Sequence, residues 1–241
     1  MAGTIVLSAR MQAVADMVKI GNWVCDVGCD HGYVSIYLVQ KKIAPNVLAM
    51  DINKGPLQRA GIHVAQANLS EYITLRISDG LDRYQPGEAQ TLICAGMGGR
   101  LIQKILEKEP EKAESFEQLI LQPQSEIYTF RRFLREAGYS IVREDMILEE
   151  DKFYPLIEAV PDKQAQKEGD FELSDRFGPK LLEARHPVLL KYLQKEWENN
   201  RKLMEVLKES GNSRRARERY AELDKELIYL EKALKICSCG L

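Results

Sequence analysis

The stretch CDVGCDHGY, residues 25–33, sets two aspartates and a histidine among two glycines. The apolar run NWVCDV leads into Gly28 and Gly32 as a buried strand leads into a ligand-cradling turn. Asp51, about 20 residues further on, stands where such a site keeps an acid for ribose hydroxyls. These features suit either a dinucleotide or S-adenosylmethionine. Asp30 separates the two, because it occupies the place a dinucleotide fingerprint gives to its middle glycine. A pyrophosphate must approach the amides of this turn, and two like charges ~4 Å apart repel by about 4 kcal/mol at an effective dielectric near 20. S-adenosylmethionine brings an ammonium and a sulfonium instead, which Asp26 and Asp30 attract.

Two later turns extend the pattern. ISDG, residues 77–80, puts Asp79 at the end of another strand, where methyltransferases commonly bond the adenine amino group. Ile52 and Gly80 follow Asp51 and Asp79 and join the expected cofactor contacts. In TLICAGMGGRL, Gly96, Gly98 and Gly99 around Met97 let the backbone pass close to a ligand. Any one of these acids also suits a helix cap or a solvated turn. As a set, Asp26, Asp51 and Asp79 end three strands and should converge on one crevice, since open α/β sheets bind ligands at the carboxyl ends of their strands. The Asn/Asp-Pro-Pro-aromatic motif that usually serves exocyclic amines is missing after the fourth strand. A ring nitrogen attacking through a free lone pair needs no such motif.

The elements that must hold these residues alternate. Apolar strand patterns at 23–28, 46–52, 73–79, 90–95 and 117–123 are separated by helical patterns at 32–42, 54–68, 98–108 and 125–137, after a Ser8-capped helix at 8–18. Continuous apolar strands between helices predict an α/β fold with a parallel sheet covered on both faces. After Gly138, YSIVREDMILEEDKFYPLIEAV reads as a hairpin, so one strand runs antiparallel. That Rossmann-like layout is usual for class I methyltransferases. Residues 161–179 read as a polar linker. Beyond it, Leu190, Leu193, Trp197, Asn200, Met204 and Leu207 form one heptad seam. Ala216, Tyr220, Leu223, Leu227, Leu230 and Leu234 form a second, predicting an antiparallel coiled-coil hairpin turned at ESGNS. Asn200 either fixes register or sits at a solvated edge. The expected division is a methyltransferase domain over 1–162 and a linker with helical domain over 163–241.

Composition excludes little. At 241 residues and 45% apolar content, the chain can bury a full core. No apolar run approaches the ~18 residues of a membrane span, and no secretory signal is apparent, so a cytoplasmic protein is expected. Five cysteines read as buried reduced thiols, and Cys237 and Cys239 lack partners at zinc-ligand spacing, so no metal is expected. Residues 180–241 hold 14 basic against 10 acidic side chains. With 34 basic and 36 acidic in the whole chain, the remainder carries 20 against 26, an acidic body with a basic appendage.

LSARMQAVADMV, DVGCDHGYVSIYLVQKK, AMDINKGPLQRA, ISDGL, ICAGMGGRLI, LILQPQ and ILEEDKFYPLIEA occur in that order. Together they resemble the bacterial tRNA (adenine(22)-N1)-methyltransferases, the TrmK family, over residues 7 to about 160, and the helical hairpin is similar to that family's C-terminal coiled coil. Val34–Ser35 departs from the leucine-proline pair more usual there. The resemblance implies methylation of adenine N1 in tRNA with S-adenosylmethionine as donor. It makes Asp30 the first candidate to orient the donor or stabilise the cationic product ring. His31, Tyr33 and Met97 become candidates to frame an extruded adenine. Core packing or helix capping remains the alternative for those three. Arg10 and Arg100, with Arg131 and Arg132 as further possibilities, lie in helices near the turns. Arg214, Arg215, Arg217 and Arg219 in SRRARERY are the expected tRNA-contacting cations, a solvated helix face being the alternative. A monomer is expected. An NAD(P)-dependent oxidoreductase explains Gly28, Gly32 and Asp51 but not Asp30 or ISDG. A non-catalytic RNA-binding protein with a methyltransferase fold would use the hairpin and ignore the crevice.

Overall fold

The computed structural model describes residues 5–164, 169–209 and 214–238. The chain forms two compact units, Met1–Gly169 and Asp170–Leu241, which divide within the polar segment 161–179. In the first unit, β1 (Val24–Val27), β2 (Val47–Asp51), β3 (Ile73–Ile77), β4 (Thr91–Met97), β5 (Gln118–Pro123), β6 (Tyr139–Glu149) and β7 (Lys152–Pro161) make one sheet. Its order is β3-β2-β1-β4-β5-β7-β6. Strands β1 to β5 are parallel, and β7 lies antiparallel between β5 and β6. The expected parallel sheet with a terminal hairpin is therefore present.

Every residue of β1, β2 and β5 is buried, which is why those strands read as unbroken apolar runs. Successive side chains feed opposite faces. Cys25, Leu92 and Leu119 pack with Ile102 and Phe130 of α4 (Gly99–Lys108) and α6 (Ile127–Glu136). Val24, Ala49 and Ile93 pack with Val14, Ile36 and Leu57 of α1 (Ala9–Asp16), α2 (Tyr33–Gln40) and α3 (Lys54–Gln66). A fully buried side chain such as Ile36 contributes roughly 1.5–3 kcal/mol through the water it excludes. Ser8 caps α1 as expected, its hydroxyl accepting from the Met11 amide at 3.4 Å.

Some boundaries differ from the sequence reading. Strand β4 continues through Gly96 to Met97, beyond the expected end at residue 95, with a register shift between Ala95 and Met97, and α4 opens at Gly99, one residue inside the expected 98–108. A one-turn helix, α5 (Pro110–Ala113), follows α4. The expected linker over 161–179 contains α7 (Glu172–Phe177) and ends at Pro179, where α8 (Pro179–Glu183) starts. Helices this short carry too few turns for a hydrophobic period to register.

In the second unit, α9 (Pro187–Glu209) and α10 (Arg214–Ser238) run antiparallel, as the cross-helix pairs show. Trp197 Nε1 donates to Glu231 at 3.4 Å, and Asn200 Nδ2 donates to Glu226 at 3.2 Å. Leu193 and Met204 are buried on one helix, Leu223 and Leu230 on the other. Asn200 is thus tied across the seam. Residues 210–213 of the expected ESGNS turn, and Cys239, lie outside the described residues.

Candidate functional site

The strand order reverses at β1, with β2 on one side and β4 on the other. The carboxyl ends of β1 and β4 therefore border the crevice where such sheets bind ligands. Gly28 leaves β1 with φ +76°, and a Cβ there would fall 2.7 Å from Met97 Cε. The two glycine-bearing turns thus meet, and a side chain at residue 28 would fill the gap between them.

Asp26 and Asp51 are both buried at the ends of their strands. Asp26 Oδ2 accepts from Ser35 Oγ at 2.6 Å, and Asp51 accepts from the Asp30 amide at 3.3 Å and the Asn53 amide at 2.8 Å. Among the described residues neither carboxylate has an ion-pair partner; their bonds all come from neutral groups. The Asp26 carboxyl is raised to about 6: burial pushes it up most, the Ser35 hydrogen bond pulls against this, and the nearby Asp51 charge adds to the rise. The Cys29 thiol lies in the field of Asp26, Asp51 and Asp30 together. These three acids form one anionic cluster.

The amides of the turn are already engaged. Those of Gly28 and Cys29 donate to the Met50 carbonyl at 2.8 and 3.1 Å, that of Asp30 to Asp51, and that of Gly32 to Cys29 at 2.8 Å. A pyrophosphate would find these four donors spent and two buried carboxylates facing it. The NAD(P) alternative loses its physical basis here. S-adenosylmethionine fits the donor set: each oxygen of Asp51 keeps a lone pair beyond its one amide, and uncompensated negative charge awaits a cation.

The other expected residues are distributed around this cluster. Asp30 sits on the rim with φ +50° and a side chain 68% exposed. Beside it, His31 and Tyr33 stack at 5.8 Å between ring centroids. Asp79 is turned towards α4, where Lys108 Nζ bridges Asp79 at 2.9 Å and Asp82 at 2.8 Å and holds the Asp79 carboxyl below its usual range. The Ser78 amide, next to it, donates to the Asp51 carbonyl. Ile52 is exposed beyond Asp51, and Gly80 packs over Ile105. The Gly96 amide donates to Gln122 Oε1 at 3.1 Å, and Gly98 caps α4. Arg10 reaches the same Gln122 oxygen at 2.7 Å and lies over the Tyr154 ring at 5.0 Å. Arg100 is exposed and paired with Glu126 at 2.7 Å. Arg131 is buried in an ion pair with Glu144 at 2.8 Å, which removes it from the possible tRNA contacts, and Arg132 pairs with Glu136 on its own helix. On α10 all four arginines are exposed; Arg214 and Arg219 pair with Glu218 and Glu222, whereas Arg215 and Arg217 have no such pair among the described residues.

Four participants escaped the sequence reading: Ser35, Arg59, His63 and Gln122. Gln122 lies in the family-like stretch LILQPQ, and Ser35 is visible in the sequence only as a departure from the family pattern. Arg59 and His63 carried a signal only in their one-turn spacing on α3. Cys25, Cys29, Cys94 and Cys237 are free and buried, and burial pushes each thiol up, so none is primed to react. No group of three or more His, Cys, Asp or Glu side chains among the described residues could hold a metal.

A methyltransferase-domain family model matches residues 7–157. The tRNA (adenine(22)-N(1))-methyltransferase of Bacillus subtilis (strain 168) is 30% identical over 230 residues, covering 95% of this chain and 97% of that one. Among solved structures, Streptococcus pneumoniae Sp1610 in complex with S-adenosyl-L-methionine is 32% identical, with a TM-score of 0.82 over 95% of this chain and 100% of that one. M. capricolum TrmK in complex with S-adenosyl-homocysteine is 25% identical, with a TM-score of 0.82 over 97% and 100%. The order of strands, the anionic turn and the near-full-length likeness agree, and the chain belongs to the tRNA (adenine(22)-N1)-methyltransferase family.

Proposed function

We propose that the protein transfers a methyl group from S-adenosylmethionine to N1 of an adenine in tRNA, position 22 by its family. The observation that carries this reading is the pair of buried carboxylates, Asp26 and Asp51, bonded among the described residues only by neutral groups, beside a turn whose amides are spent. The relatives named for this activity, and those solved with the donor or its product, support it.

When bound, S-adenosylmethionine supplies an electrophilic methyl group on a sulfonium sulfur. In this reading Asp51 accepts the ribose hydroxyls, and Asp26, with Gly28 and Gly32, faces the cationic end. Asp79 accepts the adenine amino group through the oxygen that Lys108 leaves open, flanked by Ile52 and Gly80. Gly96, Met97 and Gly98 shape the opposite wall. Adenine N1 keeps its lone pair at neutral pH, so the chain must orient the acceptor rather than deprotonate it. His31, Tyr33 and Met97 frame the extruded base, and the rim position of Asp30 lets its carboxylate stabilise the positive charge that develops on the ring. Arg10, Arg100, Arg214, Arg215, Arg217 and Arg219 contact tRNA phosphates. In the same reading the enzyme meets its tRNA in the cytoplasm and acts as a monomer.

Mass spectrometry of nucleosides from tRNA incubated with the protein and a labelled methyl donor tests this. Labelled 1-methyladenosine is expected. Donor binding without any methylated nucleoside would overturn the reading, and no donor binding at all would favour a non-catalytic RNA-binding protein.

A further inference from the structure

The face of α3 towards the start of α2 carries contacts that donor binding does not use. Gly32, the N-cap of α2, has φ +74°, and a Cβ there would lie 3.1 Å from Ala60 Cβ. This close approach brings the turn against α3 between Arg59 and His63, which stand one helical turn apart. Arg59 Nε donates to His31 Nδ1 at 3.3 Å. A guanidinium only donates, so His31 Nδ1 is bare and the neutral ring carries its proton on Nε2. That nitrogen lies 3.6 Å from Asp30 Oδ1, beyond hydrogen-bond length, and is left able to donate elsewhere. His63 Nδ1 lies 3.0 Å from the His31 carbonyl. A carbonyl only accepts, so the proton sits on His63 Nδ1. The His63 ring stacks on Tyr33 at 4.9 Å and 16°, while Tyr33 remains 45% exposed.

We propose that Arg59 and His63 are positioning residues of the methyl-transfer site. Arg59 fixes His31 as an Nε2–H donor beside Asp30, and His63 holds the turn and backs the Tyr33 ring. The inference rests on the reading that His31 and Tyr33 meet the acceptor adenine. An adenine presents ring-nitrogen acceptors besides the attacking N1, and N7 suits an Nε2–H donor but not a bare imidazole nitrogen. A ring already stacked on one face loses less freedom when a base stacks on its other face.

The test combines imidazole ¹⁵N spectra of His31 with steady-state methylation by the full-length protein and its Arg59→Met, His63→Phe and His63→Ala variants. The wild type should show the Nε2–H tautomer, and Arg59→Met should show a mixture. With that mixture, kcat should fall about tenfold, as loss of one orienting charge-assisted bond would produce, while S-adenosylmethionine affinity by calorimetry stays unchanged. His63→Phe, which keeps the stack, should retain more of kcat than His63→Ala. A purely Nε2–H His31 in Arg59→Met would overturn the role of Arg59, whatever the activity. A shifted tautomer with unchanged kcat would overturn its part in transfer, and equal rates for the two His63 variants would overturn the role of the stack. A wild-type protein that methylates no tRNA would instead overturn the proposed function, and the spectra would still judge Arg59.

Discussion

Ser35, in the first turn of α2, donates its hydroxyl hydrogen to Asp26 Oδ2 across 2.6 Å, where both residues are buried. The bond offsets part of the burial that raises the Asp26 carboxyl from 3.8 to about 6. A carboxyl raised on folding favours the folded state below its unfolded value and loses that contribution as pH climbs through the folded one. The Asp26 contribution is therefore fully present below about 4 and gone above about 6. Replacing Ser35 by alanine removes the lowering influence. Ser35→Ala should be less stable by about 1.5–3 kcal/mol near pH 7.5, with the gap narrowing towards pH 4. Denaturant unfolding of both proteins across this range checks it, and a gap that does not narrow would show that the bond does not favour the ionised form.

Asp51 holds the amides of Asp30 and Asn53 and, in the proposed reading, the ribose of the donor. Asp51→Ala should weaken S-adenosylmethionine binding by roughly 1.5–3 kcal/mol through hydrogen bonds lost to a charged acceptor. Calorimetric titration measures this. Unchanged affinity would remove Asp51 from the site.

Gly28 combines φ +76° with a neighbour 2.7 Å from where a Cβ would stand. Gly28→Ala should cost stability by about 1–2 kcal/mol from the left-handed backbone alone. Because the neighbour is the flexible end of Met97, that side chain should swing away. Thermal unfolding should show the loss in both Gly28→Ala and the double variant with Met97→Ala. Full recovery in the double variant would place the cost in the contact rather than the backbone.

On α10, Arg214 and Arg219 are paired with glutamates while Arg215 and Arg217 project free of such pairs among the described residues. Arg215→Ala and Arg217→Ala should therefore weaken tRNA binding more than Arg214→Ala or Arg219→Ala, each reducing the dependence of affinity on salt by about one counterion. Binding titrations at several salt concentrations would show it. An equal loss at all four positions would indicate that the glutamate pairs do not restrain the charge.

The legible part of this molecule was the part written in local pattern. Asp26, Asp51 and Asp79 end strands whose apolar runs announce themselves, and the coiled-coil seams follow heptad spacing. What escaped lies in contacts between residues far apart in sequence. Lys108 captures Asp79 from 29 positions away, and Gln122 joins Arg10 to Gly96 across three elements. Ser35 could be read only as an exception to a family pattern, and its hydroxyl acquires meaning once α2 folds back over β1. His63 was one of three histidines in the chain. Nothing local tied it to Tyr33, thirty residues earlier, until Gly32 and Ala60 brought the helices together.

The most direct test of a crevice made anionic for a cationic guest is a calorimetric titration with S-adenosylmethionine at pH 6, in two buffers of different ionisation heat. A cation arriving beside a carboxyl that is half protonated near that pH must lower its proton affinity. Binding should release on the order of half a proton per site. Binding with no release, or with proton uptake, would contradict the account, as would tight binding of NAD by a protein that ignores S-adenosylmethionine.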